Sequence, residues 1–226
     1  MNANQIQSYE EAVELIRHVG ILPLANLAPN HPSLVSVTEK KQWHSDTEAD
    51  PWRWRVRFPG DGVAAYGKFF KKKGVFISID LVPLVRNAIV GSLRTVRERY
   101  EAGLMSPEAK LLYAIIAEHP GIDTRVLRMK ADIKSPGQKK VFDNALNELQ
   151  GKMDIVISGV TERRNDAGEV NGWNSTSYET IDHWMEQLGI EALTINAHEA
   201  RQQLQERLAS SVTSDALAYF TKLLQP

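Results

Sequence analysis

Apolar residues recur at helical spacing early in the chain, where Ala12, Val13, Leu15, Ile16 and Val19 share one face between Ser8 and Gly20. Ser8 and Glu11 have capping-box spacing, so a helix is expected to start at Ser8 and to end at Gly20. The period is then lost. Pro23, Pro29 and Pro32 interrupt residues 21–36, with Asn30 and His31 between them, and the segment reads as irregular. Asp50-Pro51 is a cap followed by proline at the first helical position, which predicts a short helix over 51–58 with Trp52 and Val56 on its buried side. Pro59-Gly60-Asp61-Gly62 stops it. Residues 63–70 and 75–81 read as two strands joined at Lys71-Lys72-Lys73-Gly74, a hairpin with a cationic tip. Residues 84–90 and 93–100 read as helix, broken at Gly91-Ser92.

From Ser106 the pattern is clearer. Ser106-Pro107 opens a helix whose expected buried face is Leu111, Leu112, Ile115 and Ile116, and His119-Pro120-Gly121 ends it. A short helix over 124–130 follows. Ser135-Pro136 caps a third, in which Phe142, Ala145, Leu146 and Leu149 recur at helical spacing. Residues 154–163 form a β-branched strand, Asn165-Asp166-Ala167-Gly168 a turn, and 170–179 a return strand. Helix, short helix, helix, strand, turn, strand is the order of a winged helix, a shape that suits a duplex groove. The first half repeats this theme loosely, and three further helices are expected at 181–188, 197–210 and 214–224. The predicted fold is therefore α+β: tandem winged-helix units with a helical C-terminal extension. The expected division is 1–105, a degenerate first unit with the basic-tipped hairpin; 106–180, the winged-helix domain; and 181–226, the extension.

Composition narrows the chemistry. The 226 residues carry a net charge of -1, so attraction to a polyanion has to come from local patches. Cysteine is absent, which excludes disulfides, thiolate metal sites and cysteine nucleophiles. No apolar run approaches the roughly 20 residues that cross a bilayer, and residues 1–7 lack the cationic and apolar regions of a signal peptide, so no membrane partner and a cytoplasmic location are expected. No glycine loop of the nucleotide folds and no glycine-flanked serine elbow occurs. No cofactor is expected.

Several short stretches resemble a bacterial family of tandem winged-helix proteins related to the AlkZ-type alkylpurine DNA glycosylases. They are Gly20-Ile21-Leu22-Pro23-Leu24, Pro32-Ser33-Leu34, Pro51-Trp52-Arg53-Trp54-Arg55, Tyr66-Gly67-Lys68, Phe76-Ile77-Ser78, and the block from Ser106 through Lys139-Lys140-Val141-Phe142 to Leu149-Gln150. The resemblance covers most of residues 8–185 and implies the fold and DNA binding. Glycosylases of this type look to use a glutamine-apolar-glutamine or glutamine-apolar-aspartate motif after the first helix, where side chains hold the attacking water. Leu22-Pro23-Leu24 occupies the equivalent slot here, and two leucines cannot position a water. Gln5-Ile6-Gln7 has the letters of the motif but precedes the helix. A non-catalytic DNA-binding protein is the expectation; the alternatives are a glycosylase with relocated catalytic residues, and a protein-docking module.

Candidate contacts follow from residue chemistry. Gln138, Lys139, Asn144 and Asn147 lie away from the apolar positions of the third helix; amides read adenine edges and lysine reaches guanine or phosphate. Lys134, Lys139 and Lys140 cluster with Arg125, Arg128 and Lys130 as phosphate contacts, diluted by Asp123 and Asp132. Arg163 and Arg164 sit at the expected wing turn, and Lys71, Lys72 and Lys73 at the other hairpin tip, where lysines also discourage edge pairing. Of the two adjacent tryptophans, Trp54 falls off the expected buried face and is the surface candidate for stacking on an extruded base. His44, Asp46, Glu48 and Asp50 form an acidic patch without metal-ligand spacing, and no metal is expected. Double-stranded DNA is the expected partner. The C-terminal helices, if they expose Leu204, Leu208 and Leu217, are the expected surface for a homodimer.

Overall fold

The computed structural model describes residues 5–91, 95–133, 135–162, 169 and 174–225. Helix α1 (Tyr9–Val19) starts where Ser8 Oγ accepts the Glu11 amide at 3.2 Å. The Glu11 carboxylate reaches back to the Gln7 amide at 2.7 Å, one residue earlier than a reciprocal box requires. Gly20, at φ 73°, turns the chain directly into a strand, and a Cβ there would collide with Leu81. That strand is β1 (Ile21–Pro23), followed by a single helical turn, α2 (Leu34–Val37), and then α3 (Pro51–Gly60). The hairpin strands are β2 (Ala64–Phe70) and β3 (Lys73–Ser78). Helices α4 (Val82–Val90) and α5 (Val96–Glu101) lead to the second half.

There α6 (Pro107–Glu118), β4 (Ile122–Asp123), α7 (Thr124–Lys130), α8 (Lys139–Gly151), β5 (Ile155–Thr161) and β6 (Ser175–Thr180) succeed one another. The tail is α9 (Ile181–Gln187), α10 (Ala197–Ala209) and α11 (Ser214–Leu223). The protein is thus mixed α+β with two small sheets. Each sheet has three antiparallel strands, in the orders β1-β3-β2 and β4-β6-β5. In both halves the element order is helix, strand, helix, helix, strand, strand, and the third strand lies in the middle.

The short strands β1 and β4 were not expected. β1 holds only Ile21, Leu22 and Pro23, paired with Ile77, Phe76 and Val75, and proline is tolerated because this is an edge strand. The buried face of α6 is Ala109, Leu112 and Ile116, whereas Leu111 stands 44% exposed. Lys134, Arg163, Arg164 and the turn at 165–168 lie outside the described residues.

The halves pack reciprocally. Helix α3 of the first half lies on β5 of the second, α8 of the second lies on β2 of the first, and β2 touches β5. A local two-fold relation follows, because α3 and α8, like β2 and β5, occupy corresponding places in the element order. Two hydrophobic cores result, and both cross position 105: one joins Ile16 and Phe58 to Leu112 and Phe142, and the other, which also crosses position 180, joins Ile77 and Val85 to Val156, Leu204 and Phe220. The tail closes over the second core. Leu204 and Leu208 are buried at 1% and 2%, with α10 against α4, so neither residue is on offer to a second copy. Arg201 donates to the carbonyls of Ala88 at 3.0 Å and Leu224 at 2.8 Å, and Asn87 Nδ2 donates to the carbonyls of Leu193 and Ile195 at 3.0 and 3.1 Å. Among the described residues no helix is long and apolar enough to cross a membrane.

Candidate nucleic-acid interface

Helix α8 turns its C-terminal half inward. Phe142, Ala145, Leu146 and Leu149 are buried as their spacing predicts. Gln150, 1% exposed, accepts the Lys68 amide of β2 at 2.9 Å and donates to the Leu146 carbonyl at 3.2 Å. Glu148 accepts both the amide (2.9 Å) and the hydroxyl (2.6 Å) of Ser106, which fixes the start of α6. What remains open is the first part of α8: Gln138, Lys139, Lys140 and Asn144 are exposed, and Asn147 is half-buried. Lys139 Nζ lies 2.6 Å from Asp143 one turn on, so its charge is already partly compensated. Arg125 is held by Asp123 (3.3 Å), and Arg128 by the Ile133 carbonyl (3.2 Å).

The other cationic group is separate. Lys71 and Lys72 form the two-residue turn between Phe70 and Lys73, both at positive φ (47° and 59°), a primed-turn geometry normally given to glycine or asparagine. All three lysines are exposed, and Lys71 Nζ sits 4.7 Å from the Tyr219 ring of α11. The tip therefore leans on the tail. Contact between α8 and β2 is made at Gln150, and Lys139 lies roughly 16 Å back along the helix at 1.5 Å per residue.

The tryptophans exchange the expected places. Trp54 is 1% exposed and its indole donates to the Glu48 carbonyl at 2.6 Å, so it cannot stack on a base; Trp52 is 37% exposed. Both Trp52–Val56 and Trp54–Phe58 have helical spacing, so periodicity alone is ambiguous between them. Bulk decides. Phe58 stacks on Tyr9 (5.1 Å between centroids) and meets Phe76 edge-on (5.2 Å), and Trp54 meets Tyr9 edge-on at 6.4 Å, a cluster that valine could not complete.

Turning Trp54 inward brings Trp52 and Arg55 to the mouth of a cleft of about 810 Å³ between α3 and the second sheet, with Val160, Glu162 and Asn174 on its far wall. The Arg55 guanidinium lies 3.6 Å from the Trp52 ring centroid and the His44 ring 4.9 Å from it. Asp50, 2% exposed, caps α3 at the Trp52 amide (2.9 Å) and also accepts the amides of His44 (3.0 Å) and Asp46 (3.2 Å). The acidic patch is thus a folded loop whose buried carboxylate is consumed by backbone donors. Glu48 lies 3.7 Å from both Arg53 and Arg57, and Arg57 bonds Asp61 at 3.0 Å. Burial raises the Tyr9 phenol above its ordinary range, and the Asp61 carboxylate that accepts its proton at 2.9 Å adds to the rise. Among the described residues no cluster of histidine and carboxylate side chains is arranged to hold a metal ion. The sequence shows Arg53 and Arg55 as two guanidiniums among the tryptophans, but not that Arg55 is the one that pairs with Trp52, since Trp52 was expected on the buried side.

In the slot after α1, Leu22 is fully buried, with its backbone paired to Phe76, and Pro23 is buried beside it. Leu24 accepts the Val35 amide at 3.0 Å and donates its own to Gly74 at 2.9 Å. The side chains of Leu22, Pro23 and Leu24 carry no polar atom there, and the His31 ring lies 2.7 Å from the neighbouring Ile21 carbonyl.

These features define a mixed α+β protein of two like-ordered halves with an aromatic and arginine-lined cleft between them. The family model described as AlkZ related matches residues 6–225, nearly the whole chain, and the protein belongs to that family. The membership relates it to the DNA glycosylases, as the resemblance of its motifs implied. No curated protein and no solved structure matches it.

Proposed function

We propose that the protein is a DNA-binding member of its family, built from two winged-helix units and without the usual glycosylase chemistry. The observation that carries this reading is the repeated order helix, strand, helix, helix, strand, strand, with the last strand central in each sheet. In such a unit the third helix reads the duplex with its N-terminal residues. On α8 that end bears the exposed Gln138, Lys139, Lys140 and Asn144. Apolar filling around Leu22, where the relatives' water-holding side chains are expected, supports binding without base release.

Fluorescence anisotropy on an undamaged duplex at several salt concentrations tests the reading. Each phosphate contact contributes about 0.9 to the slope of log K against log salt. Lys140→Ala should flatten the slope by close to that amount, and Lys139→Ala by less, because Asp143 already compensates Lys139. An unchanged slope in the double variant removes α8 from the interface. Scoring the same samples, with an alkylated duplex alongside, for base release separates binding from catalysis; release would overturn the non-catalytic part.

A further inference from the structure

We infer that the cleft between α3 and β5 is a binding site for a nucleotide with an unpaired base, the base lying against Trp52 and the phosphate on Arg55. The argument begins with what each arginine of α3 is doing. Arg53 reaches the Asp46 carbonyl at 3.2 Å and lies 3.7 Å from Glu48, and Arg57 is held by Asp61 and Glu48. Arg55 stands apart. It makes no hydrogen bond or ion pair among the described residues, and its Nε is buried without an acceptor. Stacking 3.6 Å over Trp52 fixes the guanidinium plane without using its N–H donors. A fixed, uncommitted guanidinium is a receptor for an oxyanion, since its fork matches phosphate geometry.

The rest of the lining suits the other half of such a ligand. Trp52 keeps 37% of its surface open, and the His44 ring lies 4.9 Å from it, so an aromatic platform adjoins the cation. Stacking on such a platform tolerates any base, because every base has a π face. Asn174 and Glu162 line the opposite wall, where an amide and a carboxylate can meet ring acceptors and amino groups. A volume of about 810 Å³ admits one nucleotide, within the range of small-molecule sites. Of the four carboxylates in the lining, Glu48 is shared between Arg53 and Arg57, Asp46 lies 4.0 Å from Arg53 and Asp50 is capped by backbone amides, which leaves Glu162 on the opposite wall, across the cleft from Arg55. A paired base in a duplex hides both of its faces, so the site takes an unpaired one. The inference rests on the nucleic-acid reading for the polymer, while the site itself is read from the cleft.

Tryptophan fluorescence tests it directly, with the single-stranded oligonucleotide dT12, the mononucleotide dTMP, inorganic phosphate and a twelve-base-pair duplex as probes. Stacking should quench emission with dT12, and the quench should vanish in Trp52→Phe, which keeps a ring to stack and, read by the anisotropy of labelled dT12, holds affinity within about threefold. Base stacking worth ~1–3 kcal/mol makes Trp52→Ala lose roughly 5- to 150-fold, and Arg55→Met should lose about tenfold. Tighter binding of dT12 than of dTMP assigns the site to a strand, and equal binding assigns it to a free nucleotide. Competition by inorganic phosphate as strong as that by dTMP, a quench that survives in Trp52→Phe, or unchanged affinity in Arg55→Met overturns the inference. Failure of duplex binding by α8 is seen separately, as loss of duplex anisotropy with the dT12 response intact.

Discussion

Exchanging the two tryptophans of α3 for alanine distinguishes one face of the helix from the other. Trp54 is 1% exposed within the Tyr9, Phe58 and Phe76 cluster. Truncating a buried tryptophan costs about 3–5 kcal/mol, because the cavity relaxes only in part. The lost indole bond to the Glu48 carbonyl adds roughly 1 kcal/mol. Trp52→Ala, by contrast, forfeits its contacts with Arg55 and His44 at an accessible site, about 1 kcal/mol in all. Trp54→Phe falls between, since it keeps most of the bulk and loses the donor. Urea denaturation followed by circular dichroism measures all three, and the midpoints should rank wild type, Trp52→Ala, Trp54→Phe, Trp54→Ala from highest to lowest. A Trp52→Ala variant less stable than Trp54→Ala would refute the assigned face, and with it the cleft.

Asp154 and Arg99 form a buried ion pair beside Arg86 and Asp182, and burial raises the Asp154 carboxyl to about 6 despite the arginines. The folded state then holds this proton more tightly than the unfolded chain does. Its stabilising contribution is complete below the unfolded value near 3.8 and is lost as pH rises through about 6. Stability of the wild type relative to Asp154→Asn should therefore increase by about 2 kcal/mol between pH 7.5 and 4.5; a difference that does not change with pH contradicts the assignment. At the basic hairpin tip, Lys72→Gly should stabilise by about 1 kcal/mol, since Lys72 occupies the left-handed region at φ 59°. An unchanged or lowered melting temperature would show that Lys72 is held there without strain.

The elements that the sequence made legible are those that cap and bury themselves locally. Asp123 and Ser106 bond the first turns of α7 and α6, and the Phe142, Ala145, Leu146, Leu149 stripe buries one side of α8. The two edge strands were hidden for the opposite reason. Ile122 and Asp123 are a strand only because Tyr178 and Ser177 lie alongside, and no period exists in two residues. Trp52 and Trp54 were misassigned because helical spacing selects two faces equally well, and contacts from Tyr9 and Phe76 chose between them. The cleft was invisible for the same reason, since Val160 and Asn174 reach Arg55 only through the packing of α3 on β5.

That reciprocal packing resembles a homodimer made permanent by a linker. Two separate but identical subunits would have to carry the same residues at both copies of any surface, so an improvement at one would be imposed on the other. Joined in a single polypeptide, the two copies are free to diverge: the first helix of the pair presents indole and guanidinium, and the second presents amides and lysines. Division of labour between an aromatic face and a cationic face thus needs no second gene product, only the covalent link between the halves.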